Sequence, residues 1–172
     1  MSKRRIILLP DPVLRQVASP IERVDEDLRR LADDMLETMY AAPGVGLAAP
    51  QVNVSRRLIV LDASSKDDER HPMVMINPVI RAVGDERKTY EEGCLSIPDV
   101  KVEIERPAAL DVEFLDREGK PRSLKADGLL ATVIQHEVDH LDGRLIVDYL
   151  SRLKRDIIIR RFRKQARTDE TA

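Results

Sequence analysis

The chain of 172 residues contains one cysteine, no tryptophan, three tyrosines and two phenylalanines. One cysteine excludes an intramolecular disulfide, and with it the small disulfide-stapled secreted folds. It suits a reducing cytosol, where a lone thiol is either buried filler or chemically used. With aromatic residues at 3%, the core has to be aliphatic. No apolar run approaches the ~20 residues needed to cross a bilayer, so no membrane-spanning segment is expected. The opening stretch MSKRRIILLPDPVLR joins basic residues to a short apolar run that Pro10 and Pro12 cut off. It does not make a signal peptide, and a cytoplasmic location is the expectation. Internal repeats and low-complexity tracts are absent.

What is present is ordinary for a soluble globular protein: 42% apolar and 35% charged residues. The length suits one domain over 1–172 with a sizeable core. The net charge of −2 conceals an asymmetry, because residues 152–172 carry eight basic and three acidic side chains. That is +5 for the tail, against −7 for residues 1–151.

The stretch 24–42, VDEDLRRLADDMLETMYAA, places Leu28, Leu31, Ala32, Met35 and Met39 at the three-and-four spacing of a buried helical face. Asp25 can cap it, and Pro43 and Gly44 end it. GVGLAAPQ (44–51) is punctuated by glycine and proline and reads as an ordered loop. From Leu58 to Ala126 the segments become short and β-branched. Leu110, Val112 and Phe114 alternate with Asp111 and Glu113, the period of a half-buried strand. DREGK (116–120) has the composition of a hairpin turn. SSKDDERHP (64–72) is a polar loop in which His71 is expected to be solvated. KADGLLATVIQHEVDHLDGRL then returns to helical texture, with Asp127 as N-cap and Gly143 at the C-terminal glycine position. Leu130, Val133, Ile134, Val138 and Leu141 cover much of its circumference, as in a buried helix. The fold class that follows is α+β: an N-terminal helix, mostly antiparallel strands around a buried metal-binding helix, and a basic C-terminal helix. Leu150, Leu153 and Ile157 are expected to pack the start of that last helix onto the body.

The buried helix carries QHEVDH (135–140). His136 and His140 are four apart, so both imidazoles lie on one helix face and can converge on a single ion. Glu137 is rotated roughly one hundred degrees from His136, where it can reach a water on the metal without being a ligand. Two imidazoles do not complete a catalytic site. No histidine follows His140, and the acids beyond it have no partner motif. The third donor is sought upstream, at Cys94 in EEGCLSIP. A thiolate and two imidazoles suit Zn2+ or Fe2+ and leave a fourth position open, as in a catalytic rather than a structural site.

GVGLAAPQ, EGCLS (92–96) and QHEVDH, in that order and spacing, resemble the three signature motifs of the peptide deformylase family. PDPVLR and DMLETMY are similar to that family too, and the likeness runs from about Ile6 to Leu153. The resemblance implies an α+β hydrolase that removes the N-terminal formyl group from formyl-methionine of newly made polypeptides and releases formate. It implies that Cys94, His136 and His140 hold the metal, that water activated there is the nucleophile, and that Glu137 is the general acid/base. The side-chain amide of Gln51 and the backbone N–H of Leu95 would steady the oxyanion. Val45, Gly46, Glu92, Gly93, Leu129, Thr132 and Val133 are the positions the resemblance points to for the methionine pocket. Leu129 and Val133 can equally be plain core, and Thr132 is more polar than such a pocket asks for. The cofactor implied is one divalent ion, Fe2+ in cells, with Zn2+ or Ni2+ in isolated protein. The basic tail, in a protein whose substrate is made on ribosomes, suggests a ribosomal partner beside the nascent peptide. An endopeptidase with a downstream ligand and a non-catalytic metal-stabilised binder of nascent chains or RNA are the other readings of the same motif.

Overall fold

The computed structural model describes residues 2–171, so Met1 and Ala172, the ends of the expected 1–172 domain, lie outside the described residues. Helix α1 spans Glu26–Ala41 and starts where its capping residue predicts, with the Asp25 carboxylate accepting from the Leu28 N–H. Strands β1 (Gly46–Ala48), β2 (Leu58–Leu61), β3 (Met73–Val83), β6 (Ala109–Leu115) and β7 (Pro121–Asp127) form one antiparallel sheet in the order β1-β2-β3-β6-β7. Strands β4 (Arg87–Cys94) and β5 (Ile97–Pro107) form a separate antiparallel hairpin. Helix α2 is Gly128–Leu141 and helix α3 is Arg152–Thr171.

Period-two alternation explains how the layers stack. On β2, Ile59 and Leu61 pack with Ala131, Val133 and Ile134 of α2, while Leu58 and Val60 pack with Leu28, Leu31 and Met35 of α1. Successive strand residues face opposite ways, so the two helices cover opposite faces of the sheet there. All four β2 residues are fully buried, as a strand sandwiched between helices requires. The β4–β5 hairpin has its own core, in which Ile97, Val100, Val102 and Ile104 pack against Leu14, Ile146, Val147 and the α3 residues Ile158, Ile159 and Phe162. The expected half-buried strand is β6, with Leu110, Val112 and Phe114 inward, and DREGK is its turn into β7.

Three expectations are corrected. The stretch 44–51 is not a loop throughout: Gly46–Ala48 pairs with β2 as an edge strand, and Ala49–Val52 winds into one 3-10 turn. Three residues between a glycine and a proline are too short a run to show strand periodicity. Asp127 does occupy the N-cap of α2, but it makes no side-chain cap bond; the turn into the helix is made by Gly128 at a φ of +54°. Leu153 and Ile157 do not pack on the body and are 71% and 56% exposed. The inward stripe of α3 is Arg155, Ile158, Ile159, Phe162 and Ala166, a three-and-four repeat set one position off the expected one.

The polar loop after β2 is ordered around one carboxylate. Asp62 accepts from the Tyr40 hydroxyl, from the Ser64 N–H at 2.9 Å and hydroxyl at 2.6 Å, and from the His71 N–H at 2.9 Å. The His71 side chain is exposed, as expected, but its backbone anchors the loop. Burial raises the Asp62 pKa, yet these donors outweigh it and hold the group at about 2, against 3.8 for an ordinary Asp. A carboxyl depressed in the folded state stabilises above its unfolded value and loses that contribution as pH falls through its folded value. Urea unfolding of Asp62→Asn should therefore show a deficit against the parent at neutral pH. That deficit should shrink as pH falls from 3.8 toward about 2. A gap independent of pH over that range would refute the assignment.

Candidate metal centre and substrate cleft

Helix α2 lies against β1, β2, β6 and β7, and the Gln135 amide ties it to β5 by donating to the Pro107 carbonyl at 3.0 Å. This fixes the face that carries His136, Glu137 and His140. Cys94 ends β4, opposite Ile97, across a tight turn made by Leu95 and Ser96. The turn brings the thiol over the helix: Cys94 Sγ is 3.3 Å from His140 Nε2, and one donor atom from each of Cys94, His136 and His140 falls within 4.8 Å of the others. Donors of one tetrahedral ion, at bond lengths of 2.0–2.3 Å, stand roughly 3.3–3.8 Å apart. The Cys94–His140 spacing already meets this, and with every spacing within 4.8 Å the donors need close by only about one ångström to hold a single divalent ion. Burial, then the charges of His136 and Arg106, hold the His140 pKa well below the ordinary value, so its imidazole is neutral, the form a metal requires.

His136 is aimed by a partner the sequence did not reveal. Its Nδ1 is 3.0 Å from Glu92 Oε1, which leaves Nε2 for the centre. Burial lowers its pKa, but the hydrogen bonds to Cys94 and Glu92 and the charge of Glu137 outweigh it and hold a proton that a divalent ion has to displace. Glu92, expected as a pocket wall, does border the cleft, but its carboxylate is committed elsewhere. Arg106 donates to Glu92 through Nε at 2.8 Å and Nη2 at 3.0 Å, and to Asp139 through Nη1 at 3.0 Å. The Tyr149 hydroxyl closes the chain on Asp139 at 2.6 Å. A signal for Arg106 was present: it follows Val100, Val102 and Ile104 in step along β5, a charge on an otherwise buried face.

Glu137 is 2% exposed, and its Oε2 has no hydrogen-bond partner among the described residues. Burial, with the nearby charge of Glu92, raises its carboxyl to about 7 despite the opposing His136 charge, near the value a neutral-pH general base needs. A buried carboxylate oxygen without a protein donor is suited to a water or a substrate hydrogen. Gly46 makes the approach to it possible: a Cβ there would lie 2.9 Å from Val133 Cγ1 and 3.0 Å from Glu137 Cγ. Gln51 is 1% exposed; its Oε1 accepts from the Ala48 N–H at 2.9 Å, and its Nε2 is 3.6 Å from Cys94 Sγ.

A cleft of about 670 Å³ opens onto this centre. Val45, Gly46 and Gly93 border it, with Leu129, Thr132 and Val133 of α2, Leu95 and Gln51. Val45 and Leu129 are each 46% exposed, while Thr132 and Val133 are each 6% exposed. Every position expected of the pocket thus faces one cleft. His71 takes no part in it.

At the level of class, an α+β frame presenting a Cys-His-His cluster and a buried carboxylate to one cleft defines a metal-dependent hydrolase. Comparison with known proteins narrows the class. A sequence profile described as polypeptide deformylase matches residues 3–156. The peptide deformylase of Rhizobium meliloti is 60% identical over 98% of this chain and 97% of its own length. That of Agrobacterium fabrum is 57% identical over 97% of this chain and 98% of its own. The crystal structure of peptide deformylase from Ehrlichia chaffeensis superposes with a TM-score of 0.91 at 40% identity, covering 98% of this chain and 99% of that one. The chain belongs to the peptide deformylase family, hydrolases of protein biosynthesis that remove N-terminal formyl groups.

Removing one carboxylate oxygen should show what Glu92 does. In Glu92→Gln, competition with a chelator should report metal affinity about ten- to one hundred-fold below the parent. Affinity unchanged in a folded variant would mean that His136 is oriented without it.

Proposed function

We propose that this chain deformylates N-formylmethionyl nascent peptides in the cytoplasm, acting as one catalytic domain with the basic helix appended. The observation that carries this reading is the convergence of Cys94, His136 and His140 beside a buried Glu137 with a partnerless oxygen. The three residues would hold one divalent ion, and the donor set accepts Fe2+, which we assign in cells, as well as Zn2+ or Ni2+. When bound, that ion supplies Lewis-acid chemistry, lowering the pKa of water and polarising a carbonyl. Glu137 takes the proton from the attacking water and passes it to the leaving amine, which its position and raised pKa support. One Gln51 Nε2 hydrogen and the Leu95 N–H donate to the formyl oxygen as charge develops there, and losing such a donor typically costs about 3–4 kcal/mol. Val45, Leu129 and Val133, with Gly46, Glu92, Gly93 and Thr132 around them, receive the methionine side chain.

Formate release from formyl-Met-Ala-Ser tests the reading, using protein loaded anaerobically with Fe2+ beside protein loaded with Ni2+. Turnover should require Cys94, with Cys94→Ser inactive. Glu137→Ala should keep its metal and lose at least about one hundred-fold in kcat. A folded, metal-loaded protein that releases no formate would move the non-catalytic binder to first place.

The C-terminal helix supports a second element of the reading, a ribosomal partner. Arg160, Arg161, Arg163 and Lys164 are exposed on α3, facing away from the stripe that packs on the body. Phosphate neutralisation by such a row would dock the protein on ribosomal RNA. Cosedimentation with ribosomes should weaken when Arg160, Arg163 and Lys164 are changed to Gln. The salt dependence of binding should flatten too, by about one unit of slope for each phosphate no longer neutralised. Binding identical to the parent would exclude the helix as the docking element.

A further inference from the structure

Ser96 stands in none of the roles described so far, yet it is fully buried at the tip of the β4–β5 hairpin, two residues from Cys94. Its Oγ lies 3.0 Å from Gln51 Nε2. The orientation of the Gln51 amide is not ambiguous, because its other end accepts from the Ala48 N–H, which can only donate. The end facing Ser96 must therefore be the NH2, and Ser96 Oγ must be its acceptor. An amide nitrogen carries two hydrogens. With one held by Ser96, the other is left on the side of Cys94 Sγ, where the nitrogen stands at 3.6 Å.

The backbone reinforces the same alignment. The N-terminal segment runs between the two residues: the Ile7 N–H donates to the Gln51 carbonyl at 2.7 Å, and the Leu9 N–H donates to the Ser96 carbonyl at 2.9 Å. This one segment thus sets the spacing between the 3-10 turn that carries Gln51 and the hairpin turn that carries Ser96. Main chain and side chain fix the Gln51 amide at both ends before any substrate arrives. A donor held in place has no reorganisation to undergo as charge develops on the oxygen it serves, and an unheld side chain does.

We propose that Ser96 is a positioning residue for the deformylation step: its hydroxyl accepts one hydrogen of the Gln51 amide and so commits the second to the formyl oxygen. The proposal rests on the role given to Gln51 above. It assigns Ser96 no contact with substrate.

The test is a double-mutant cycle on the metal-loaded enzyme, with kcat and KM for formyl-Met-Ala-Ser measured separately. Ser96→Ala should lower kcat about ten-fold while KM and metal content stay near the parent's, since a donor misplaced by an ångström costs rate rather than binding. Gln51→Ala should lower kcat about one hundred-fold. The double variant should be no slower than Gln51→Ala alone, because without the amide there is nothing for Ser96 to aim. If the two losses multiply, Ser96 acts independently of Gln51 and the proposal is wrong. It is also wrong if Ser96→Ala turns over like the parent. If Gln51→Ala turns over like the parent, the donor role of Gln51 fails, and the positioning role falls with it. Should Ser96→Ala not fold, side-chain NMR of the Zn2+-loaded parent decides. One Gln51 amide proton shifted downfield from its geminal partner is expected, and an ordinary pair of amide resonances would overturn the proposal.

Discussion

The buried contact between Glu92 and Arg106 is the constraint on which the centre depends. Both side chains are 6% exposed, and two parallel hydrogen bonds at 2.8 and 3.0 Å join them. Taking both charges out of water is expensive, and their attraction repays it only with good geometry and with every remaining donor and acceptor engaged. That condition is met here from three directions. His136 takes the free side of Glu92, while Asp139 and Tyr149 complete Arg106. The pair is thus also a junction: Glu92 is on β4, Arg106 on β5, His136 and Asp139 on α2, and Tyr149 on the 3-10 turn after it. A two-stranded hairpin is marginal alone, and this one carries the thiol of the candidate metal cluster. Its apolar core holds it to the body, and the buried charges hold it at one register over the helix.

That register explains why one carboxylate per side of His136 is enough. Glu92 engages Nδ1, and Glu137, with Oε1 at 3.6 Å from Nε2, lies on the other side of the same imidazole. The two acids have opposite environments. Glu92 is surrounded by donors, which pull its pKa down against the effect of burial. Glu137 is buried with one oxygen unpartnered among the described residues, so burial prevails and its pKa rises. One acid is committed to its neighbours and the other keeps an oxygen without a donor among the described residues, and what separates them is the number of N–H groups within reach.

The parts of this arrangement legible in the sequence were those with a local period. His136 and His140 share a helix face because they are four apart, and that needs no knowledge of the rest of the chain. The same holds for the capped helix from Asp25 and for the alternation of Leu110, Val112 and Phe114. What could not be read locally was set by contacts distant in sequence. Gly46–Ala48 is a strand because β2 lies beside it, not because three residues prefer to be one. The polar stretch after β2 looked solvated, yet Asp62 gathers Tyr40, Ser64 and His71 from separate elements. Glu92 was placed near the cleft by family likeness, but its duty toward His136 depends on Arg106, fourteen residues away. In two places a local rule held further than expected. The inward parity of β5 carries through to Arg106, and the α3 stripe begins at Arg155 and Ile158 rather than at Leu153.

Close approach is the other device on which the cleft is built, and it links the wall of the pocket to the buried Glu137 carboxylate. Gly46 touches both Val133, which lines the cleft, and Glu137, which sits at its base. Gly44 is packed against Leu95 in the same way, where a Cβ would lie 2.9 Å from Leu95 Cδ1. The two glycines of one short stretch therefore set the distance between the strand edge, the helix and the hairpin turn at once. Interiors packed this closely transmit small displacements instead of absorbing them. A side chain added at Gly46 presses on Val133 and Glu137, and one added at Gly44 displaces the Leu95 side chain. The same missing atoms thus keep the strand edge against the helix and leave the Glu137 carboxylate at the base of the cleft, with one oxygen unpartnered among the described residues.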